Sequence, residues 1–228
     1  KLLPLGGAAA PVPVAAPEDN GAEEMTNLTL ANDAAIDNAA IAPTVSNATE
    51  TAATNATEPD VKAAGPWAVS PGGKLGFRAD YSGTGIDGSF KRWDADIVFS
   101  PDDLDHSRIS VTVDLASADT ADSQRDDMLR SDSFFDIATH PRATYTSSKI
   151  RHVSGNRYSA AGTLALHGQS KPLIVDFTLD ITGDAASASG TARIARTAFS
   201  VGSGEWASTD NIKDEVAVTF RFKAKRKP

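Results

Sequence analysis

The sequence predicts an all-β fold of about eight short antiparallel strands, closed as a barrel or packed as a sandwich, with one short helix. Three observations support this prediction. Apolar and polar residues alternate with a period of two in several segments, turn-forming residues separate those segments, and a single stretch breaks the alternation. All three features lie after residue 66, so we expect one folded domain over residues 67–228.

The alternating segments are predicted to be strands with one buried face. Side chains in a strand point to opposite faces in turn, so every second residue shares an environment. The apolar positions are Trp93, Ala95, Ile97 and Phe99; Ile109, Val111, Val113 and Leu115; Leu164 and Leu166; Leu173, Val175, Phe177, Leu179 and Ile181; and Val216, Val218, Phe220 and Phe222.

Turn signals fall between the predicted strands. Gly, Pro, Asn and Asp cluster there because they accept the backbone angles that tight turns require. The turns are predicted at Ser70–Gly73, Pro101–Asp103, Ser154–Asn156, Thr182–Asp184 and Gly202–Gly204. Short strands at this spacing are typical of antiparallel barrels and sandwiches.

Residues 122–130 are predicted to form the one short helix. The segment starts with Asp122, contains few β-branched residues and brings Met128 and Leu129 together. Phe134 and Phe135 follow, so aromatic and aliphatic side chains are expected at one end of the barrel, where they plug it or line its mouth. Plugging is the simpler interpretation, because aromatic residues beside strands usually belong to the core.

Charged residues accompany the predicted helix, namely Arg125, Asp126, Arg130 and Asp132. We expect them to form ion pairs that fix the helix to the barrel rim. The alternative is that they orient the polar headgroup of a ligand.

Residues 1–66 differ in composition from the rest of the chain. They contain no aromatic residue and carry two basic against nine acidic residues, a net charge of −7. A segment rich in Ala, Thr and Pro without aromatics cannot bury enough apolar surface to offset the entropy of ordering. We therefore predict a disordered acidic tail or linker over residues 1–66, followed by the barrel over residues 67–228.

Composition excludes several classes of function. Residues 67–228 carry 20 basic and 21 acidic residues, which argues against a nucleic-acid partner. The chain contains no cysteine, so disulfides and thiolate metal sites are excluded. The sequence contains no run of about 18 apolar residues, which is the length that a membrane-spanning helix requires. The basic C-terminal residues could contact anionic headgroups, although a solvated terminus is the simpler interpretation: Arg221, Lys223, Lys225, Arg226 and Lys227.

The sequence also lacks the patterns of an enzyme or metal site. A literal G-x-G-x-x-G occurs at 83–88, but an alternating segment follows it instead of a helix, so it predicts a turn or bent strand and no dinucleotide site. His106, His140, His152 and His167 are scattered, and no G-x-S-x-G elbow is present. We expect no catalytic residue, no metal and no cofactor.

Three stretches resemble the YceI-like family of polyisoprenoid-binding proteins. The family carries a run close to R-D-x-H-L-R-S-x-D-F-F-D, then Y-P and F-x-S, which Arg125–Asp136, His140-Pro141 and Tyr145–Ser147 resemble. Gly162–Leu173 resembles its G-x-L-T-L-H-G-x-T-K-P-V, and Arg196–Gly202 resembles its R-x-x-F-G segment more loosely. The resemblance implies an eight-stranded lipocalin-like β-barrel.

The chain departs from the family pattern at several positions. Met128 stands where the family usually has His, Ser133 where it has Asp, and His140 where it has Tyr; both histidines of the family's N-terminal strand are also missing. If those histidines contact the polar end of the ligand in relatives, the departures bear on ligand identity and leave the fold unaffected.

The resemblance implies that the barrel binds a long-chain isoprenoid lipid, of the polyprenyl or isoprenoid quinone type, as a periplasmic carrier or reservoir. The alternative is a non-enzymatic module with a filled barrel, tethered to a membrane protein such as a cytochrome b561-type domain. The expected ligand-binding residues are Phe77, Phe90, Trp93, Met128, Leu129, Phe134, Phe135, Leu164, Leu166, Val175, Phe177, Val218 and Phe220.

We expect a periplasmic or otherwise exported protein. Residues 1–10 are small and apolar, like the end of an export signal or a segment next to a membrane helix, although a low-complexity leader explains them equally well. Transient membrane contact is expected of a lipid carrier. The oligomeric state is left open, with a homodimer as one alternative.

Overall fold

The computed structural model describes residues 63–228. Within that range one α-helix, α1 (Ser123–Arg130), and short 3-10 helices at Leu115–Ser117, Arg196–Phe199 and Gly204–Trp206 accompany the strands. The strand segments are β1 (Gly65–Val69), β2 (Lys74–Tyr81), β3 (Thr84–Phe90), β4 (Trp93–Phe99), β5 (Arg108–Asp114), β6 (Ala118–Asp119), β7 (Arg142–Ser154), β8 (Arg157–Leu166), β9 (Gln169–Thr182), β10 (Ala185–Ala195) and β11 (Glu215–Arg226).

These segments form one closed antiparallel barrel of eight strands, which confirms the predicted fold. Three of the eight strands are interrupted, so β1 with β2, β3 with β4, and β5 with β6 are each two halves of one strand. The remaining five follow in chain order, and β11 closes the barrel by pairing with both β1 and β2. Closure pairs β11 on both sides, which leaves no long free edge among the described strands; the two-residue β6 pairs with β3.

Small residues on β10 make room for large ones on β11 inside the barrel. Ala188 lies opposite Phe222, and Gly190 lies opposite Phe220. A Cβ at Gly190 would approach the Phe220 ring to 2.6 Å and the Cβ of Phe177 to 2.8 Å. Only glycine therefore fits at this position without displacing the aromatic residues of the interior.

The glycine pattern at 83–88 belongs to a β-hairpin, as predicted. Gly83 lies in the turn between β2 and β3 with a positive φ of 79°, and Gly88 lies within β3. The Phe77 ring lies directly over Gly88. A Cβ at position 88 would come within 2.2 Å of this ring, so the close contact requires glycine. No helix begins after this turn, which excludes the dinucleotide-binding interpretation.

Helix α1 forms where the sequence predicts it. The side chain of Asp122 caps its N-terminus by accepting hydrogen bonds from the backbone N–H of Gln124 and Arg125. Asp126 is buried and accepts hydrogen bonds from the Thr120 N–H and hydroxyl, each 2.8 Å long. These bonds attach the helix to the segment after β6 and fix its position at one end of the barrel.

Only part of the predicted ion-pair network forms around α1. Arg125 pairs with Asp122 at 3.4 Å and Arg130 pairs with Asp127 at 2.8 Å, both within the helix region. The guanidinium groups also donate to the carbonyls of Thr120 and Ala116, which ties them to the barrel rim. Asp126 instead accepts hydrogen bonds from the uncharged donors of Thr120, because a buried carboxylate needs hydrogen-bond partners.

The predicted disorder of residues 1–66 falls mostly outside the described residues and stays a prediction. Strand β1 begins at Gly65, so Gly65 and Pro66 already pair with Phe99 and Val98 of β4. Among residues 63–228, no helix is long and apolar enough to span a membrane.

Candidate functional site

A cavity of about 280 Å³ occupies the centre of the barrel. Its exposed wall is entirely apolar, and its lining residues come from both ends of the barrel. Protein interiors rarely contain voids much larger than one water molecule, which needs only about 10–15 Å³ of such space. The volume is therefore far too large for a packing defect and is close to the lower end of ligand pockets, at roughly 300 Å³.

One end of the cavity is closed by a cluster of aromatic rings. Phe99 meets the edge of Tyr158 at 5.4 Å between ring centroids, and Tyr158 stacks on Phe177 at 5.5 Å. Trp67 packs in the same cluster and is only 2% exposed. Because β1, β4, β8 and β9 supply these rings, this end of the barrel is held by side chains from around its circumference.

The other end lies under helix α1. The rings of Phe77 and Phe90 are 5.2 Å apart, and Phe90 lies 6.1 Å from Phe135. Phe134 contacts Trp206, with 6.0 Å between ring centroids. Phe134 and Phe135 both border the cavity and are buried, so they act as part of the core and as cavity wall together.

Small side chains widen the middle of the cavity. Ala160 on β8 and Ala192 on β10 both lie opposite Val175 of β9. Gly162 is covered by Tyr145, whose ring a Cβ at that position would approach to 2.7 Å. The open space therefore lies where alanine and valine meet on three adjacent strands, while Gly162 makes room for the Tyr145 ring.

The polar groups at the cavity wall already have hydrogen-bond partners. The Tyr145 hydroxyl donates to the Ala160 carbonyl at 2.9 Å, and the Trp67 indole N–H donates to the Phe99 carbonyl at 3.0 Å. Burial raises the pKa of Tyr145 to about 12, so its phenol stays neutral at physiological pH. The wall thus presents hydrocarbon to any occupant.

Arg196 is the charged residue that borders the cavity, and all its donors are used. Its side chain is buried, and burial lowers the pKa of its guanidinium from the ordinary value. It donates five hydrogen bonds of 2.8–3.2 Å to backbone carbonyls, those of Val201, Gly202, Ser208, Ile212 and Lys213. Since a guanidinium has five N–H donors, none remains for a ligand. Arg196 therefore fixes the loop that ends at β11.

Comparison with known proteins identifies this arrangement. A family model described as the YceI-like domain matches residues 67–224, more than half of the chain. The chain belongs to the YceI-like family. The UPF0312 protein plu2095 of Photorhabdus laumondii is 33% identical over 106 residues, which cover 46% of this chain and 55% of that protein. The chain thus spans about half the length of this relative.

Two solved structures share the YceI-like fold. Burkholderia cenocepacia BcnA is 31% identical, with a TM-score of 0.66, and the match covers 69% of this chain and 99% of that one. A polyisoprenoid binding domain from Saccharophagus degradans, implicated in plant cell wall breakdown, is 16% identical with a TM-score of 0.56 and covers 73% and 100%. The latter similarity shows the fold alone.

The structure brings nearly all the residues expected to contact a ligand to the cavity wall. They lie on the inward phase of their strands, on the inner side of α1 for Leu129, and in the turn after α1 for Phe134 and Phe135. These residues are Phe77, Phe90, Trp93, Leu129, Phe134, Phe135, Leu164, Leu166, Val175, Phe177, Val218 and Phe220.

Met128 is the exception and does not line the cavity. Its side chain is 38% exposed on the outer side of α1, whereas Leu129 packs against the core. Adjacent residues on a helix point about 100° apart, so Met128 and Leu129 could not both face inward. The expected ligand contact of Met128 is therefore not supported by its position.

Sequence reasoning missed Trp67, Tyr145 and Arg196 as wall residues. Tyr145 stands in a segment that resembles the YceI-like pattern and Arg196 begins the R-x-x-F-G-like segment, whereas Trp67 lies in the N-terminal strand, where the chain departs from that pattern. That motif was the available signal for Arg196, because a charged residue among apolar cavity residues cannot be found from alternation.

The histidines lie away from the cavity wall. His167 forms the two-residue turn between β8 and β9 with Gly168, both with positive φ, and its Nδ1–H donates to the Phe199 carbonyl at 3.0 Å. His167 therefore has a structural role at the end of a strand. His106 pairs with Asp103, and His140 packs edge-on against His167. Within residues 63–228, no three His, Cys, Asp or Glu side chains group as metal ligands would.

The buried phenol of Tyr145 predicts a loss of stability at high pH. Its pKa is about 12 in the folded chain and 10.0 ordinarily, because burial disfavours the charged phenolate. The contribution of the neutral phenol to the free energy of unfolding is therefore complete below pH 10 and is lost as the pH rises to 12. Urea unfolding at pH 8 to 12 should show a steeper decline for the native sequence than for Tyr145→Phe. Equal declines would show that Tyr145 ionises as freely in the folded chain as in the unfolded one.

Proposed function

We propose that the barrel binds the hydrocarbon chain of an isoprenoid lipid, of the polyprenyl or isoprenoid quinone type, as a carrier or reservoir. One observation carries the proposal: a cavity of about 280 Å³ lies inside the barrel, and its wall offers apolar surface while the hydrogen-bond donors of Trp67, Tyr145 and Arg196 are already paired. Apolar burial then supplies the affinity, and a charged or strongly polar group has no partner inside.

The energetics favour exchange with a membrane. Each buried CH₂ group contributes about 0.8 kcal/mol, and association costs roughly 4–15 kcal/mol, so a few isoprene units suffice for binding. A lipid leaving a bilayer gives up a similar apolar environment. The protein would therefore exchange lipid with membranes at little net cost in free energy, which suits a carrier or reservoir.

The open centre of the barrel supports this proposal over the filled-barrel module. The Saccharophagus degradans domain has the same fold and is a polyisoprenoid binding domain. A filled barrel requires side chains that occupy the centre, whereas small residues leave about 280 Å³ open there. Export to the periplasm is a proposal that accompanies the carrier role, whereas tethering to a cytochrome b561-type membrane domain belongs to the filled-barrel alternative. A binding role without catalysis fits a wall of hydrocarbon.

The test is lipid analysis of the full chain purified without detergent from a bacterial host that makes isoprenoids. Organic extracts, analysed by mass spectrometry, should contain a polyprenyl or quinone species in a fixed ratio to protein. A size-matched protein purified in the same way controls for carry-over. An extract that contains no isoprenoid, together with failure to take up quinone from vesicles, would contradict the proposal.

Lipid retention should not depend on pH between 5 and 9 or on any single histidine. The histidines lie outside the cavity wall, and Tyr145 stays neutral in this range, so the charge of the wall does not change. Gln variants of each histidine should keep the lipid at the native ratio by mass spectrometry. Loss of lipid in His167→Gln alone, with an unchanged melting temperature, would indicate a headgroup contact instead. The four positions are His106, His140, His152 and His167.

A further inference from the structure

The outer wall of the barrel carries a row of cations that we call the cationic face. It consists of Arg221, Lys223 and Lys225 on β11 and Lys74 on β2, all exposed. The three β11 residues alternate with cavity residues such as Phe222 and so point outward at intervals of about 7 Å. Lys74 pairs directly with Arg221 in the strand register. The four side chains therefore form one continuous positive patch.

No ion pair involving the cationic face is present within residues 63–228. Other cations on nearby strands do form ion pairs. Arg78 on β2 pairs with Asp87 at 2.6 Å, and Arg193 on β10 pairs with Glu215 at 3.2 Å. Paired cations are thus the pattern on this wall, and the cationic face departs from it.

The surroundings of the cationic face leave it open. Its register partners on β10 are Ala185, Ser187 and Ser189, which are short and uncharged. Asp184, in the turn after β9, pairs with Arg226 at 3.8 Å. Asp180, a carboxylate in the same row as the face, lies two strands from Lys223 and is bonded to an asparagine amide. Two strand spacings are about 10 Å, close to the Debye length in physiological salt, so screening weakens that attraction.

The arrangement costs stability as it stands. Lys74 lies directly opposite Arg221, and like charges opposite each other across strands are destabilising. An anionic partner that contacts both would remove this repulsion. The barrel wall therefore presents a site that favours an external anion.

We propose that the cationic face docks the barrel on the surface of an anionic lipid bilayer. A bilayer supplies rows of phosphates at the spacing of exposed side chains, and each Lys or Arg near it raises the partition constant about fivefold. The face extends over two strands of the wall behind which the cavity lies, so docking would place the barrel side-on beside its lipid source. This goes beyond lipid binding, since the outer wall and the cavity can be tested separately.

The whole chain has a net charge of −8, so docking must come from local charge. Charges beyond a Debye length contribute little at physiological salt, which leaves the cationic face to act on the headgroups in front of it. Binding should consequently be strong at low ionic strength and fall steeply as salt is added.

Vesicle sedimentation with the full chain tests the proposal. The native protein should sediment with vesicles of phosphatidylglycerol and phosphatidylcholine in 50 mM salt, remain in solution with pure phosphatidylcholine, and be released by 500 mM salt. Replacing three cations of the face should lower the partition constant about a hundredfold. The test variant is Arg221→Gln, Lys223→Gln, Lys225→Gln.

The matched control removes the same charge from the opposite wall. β7 lies four strands from β11 around the barrel, and β5 is its neighbour. The control combines Arg108→Gln, Lys149→Gln and Arg151→Gln, all at exposed positions. It should bind anionic vesicles within about twofold of the native protein. Equal losses in the two triple variants would overturn the proposal, because net charge alone would then explain binding.

Two further outcomes would also overturn it. Equal sedimentation with phosphatidylcholine would show that charge is not the cause. Binding to a duplex oligonucleotide with no binding to vesicles would assign the face to another polyanion. Lipid analysis of the test variant separates this inference from the proposed function, since a variant that no longer docks should still carry its isoprenoid.

Discussion

Replacing Val175 with tryptophan is expected to leave the barrel folded and to abolish lipid binding. Val175 borders the cavity where Ala160 and Ala192 lie opposite it, so the larger side chain has open space to enter. An indole there would fill much of the 280 Å³ that we assign to the lipid chain. In a filled core the same change would overpack the interior, at a cost of roughly 1–3 kcal/mol or more.

The adjacent residue provides a matched control. Ile174 is on the same strand, points outward and is 61% exposed, so Ile174→Trp adds the same ring outside the barrel. Each variant is measured by thermal melting and by mass spectrometry of extracted lipid. We expect both to melt near the native temperature and only Val175→Trp to lose the lipid. A Val175→Trp variant that unfolds, with no lipid in the native protein, would favour the filled-barrel module.

Phe177 distinguishes the closed end of the cavity from its open centre. Its ring is 7% exposed and stacks on Tyr158, so truncation to alanine leaves a hole among packed rings. Such changes cost about 3–5 kcal/mol. We expect Val175→Trp to be tolerated and Phe177→Ala to lower the stability strongly. This result would place the boundary between the lipid space and the packed core between these two residues.

Alternation predicted the barrel because closure gives every strand the same two environments. Strands such as β4 and β11 alternate large apolar residues with polar ones, so their inward positions could be read directly from the sequence. Strand β10 gave no such signal. Its inward residues before Ile194 are alanine and glycine, which leave room for the aromatic residues on the next strand. Alanine alternating with serine gives little contrast in hydropathy.

The cavity itself could not be predicted from periodicity. Inward positions look the same in a filled and in an open barrel, and the difference lies in which small residues meet across three strands. Ala160, Val175 and Ala192 are far apart in sequence and become neighbours only through strand register. The same limit applies to Met128, since a helix of eight residues with adjacent aliphatic residues does not show which one faces inward.

Replacing Arg196 with methionine is expected to cause a loss of stability as large as that of Phe177→Ala. Its guanidinium donates to five carbonyls of the segment from Val201 to Lys213, and methionine fills the volume without donating a hydrogen bond. A buried acceptor left without a partner costs about 1–3 kcal/mol. Because the segment can relax toward water, we expect a total loss of roughly 3–5 kcal/mol, as for other buried charged groups that lose their partners.

Arg196→Met should loosen the segment that its guanidinium holds, in addition to lowering the stability of the whole barrel. Phe199 and Val201 pack in the core beside α1, so release of this segment would open that end of the barrel. Hydrogen exchange should accelerate at residues 200–214 before the strands are affected. Arg196→Lys keeps three hydrogen-bond donors. Its free energy of unfolding should therefore lie between that of the native protein and that of Arg196→Met.

Arg193 is the control three residues upstream. It is an exposed arginine that pairs with Glu215, with 75% and 60% of the two side chains exposed. Arg193→Met should change the free energy of unfolding by no more than about 0.5 kcal/mol, since exposed ion pairs contribute little. Comparable urea-unfolding curves for Arg193→Met and Arg196→Met would contradict the assigned role, because burial and five carbonyl bonds are what separate these two arginines.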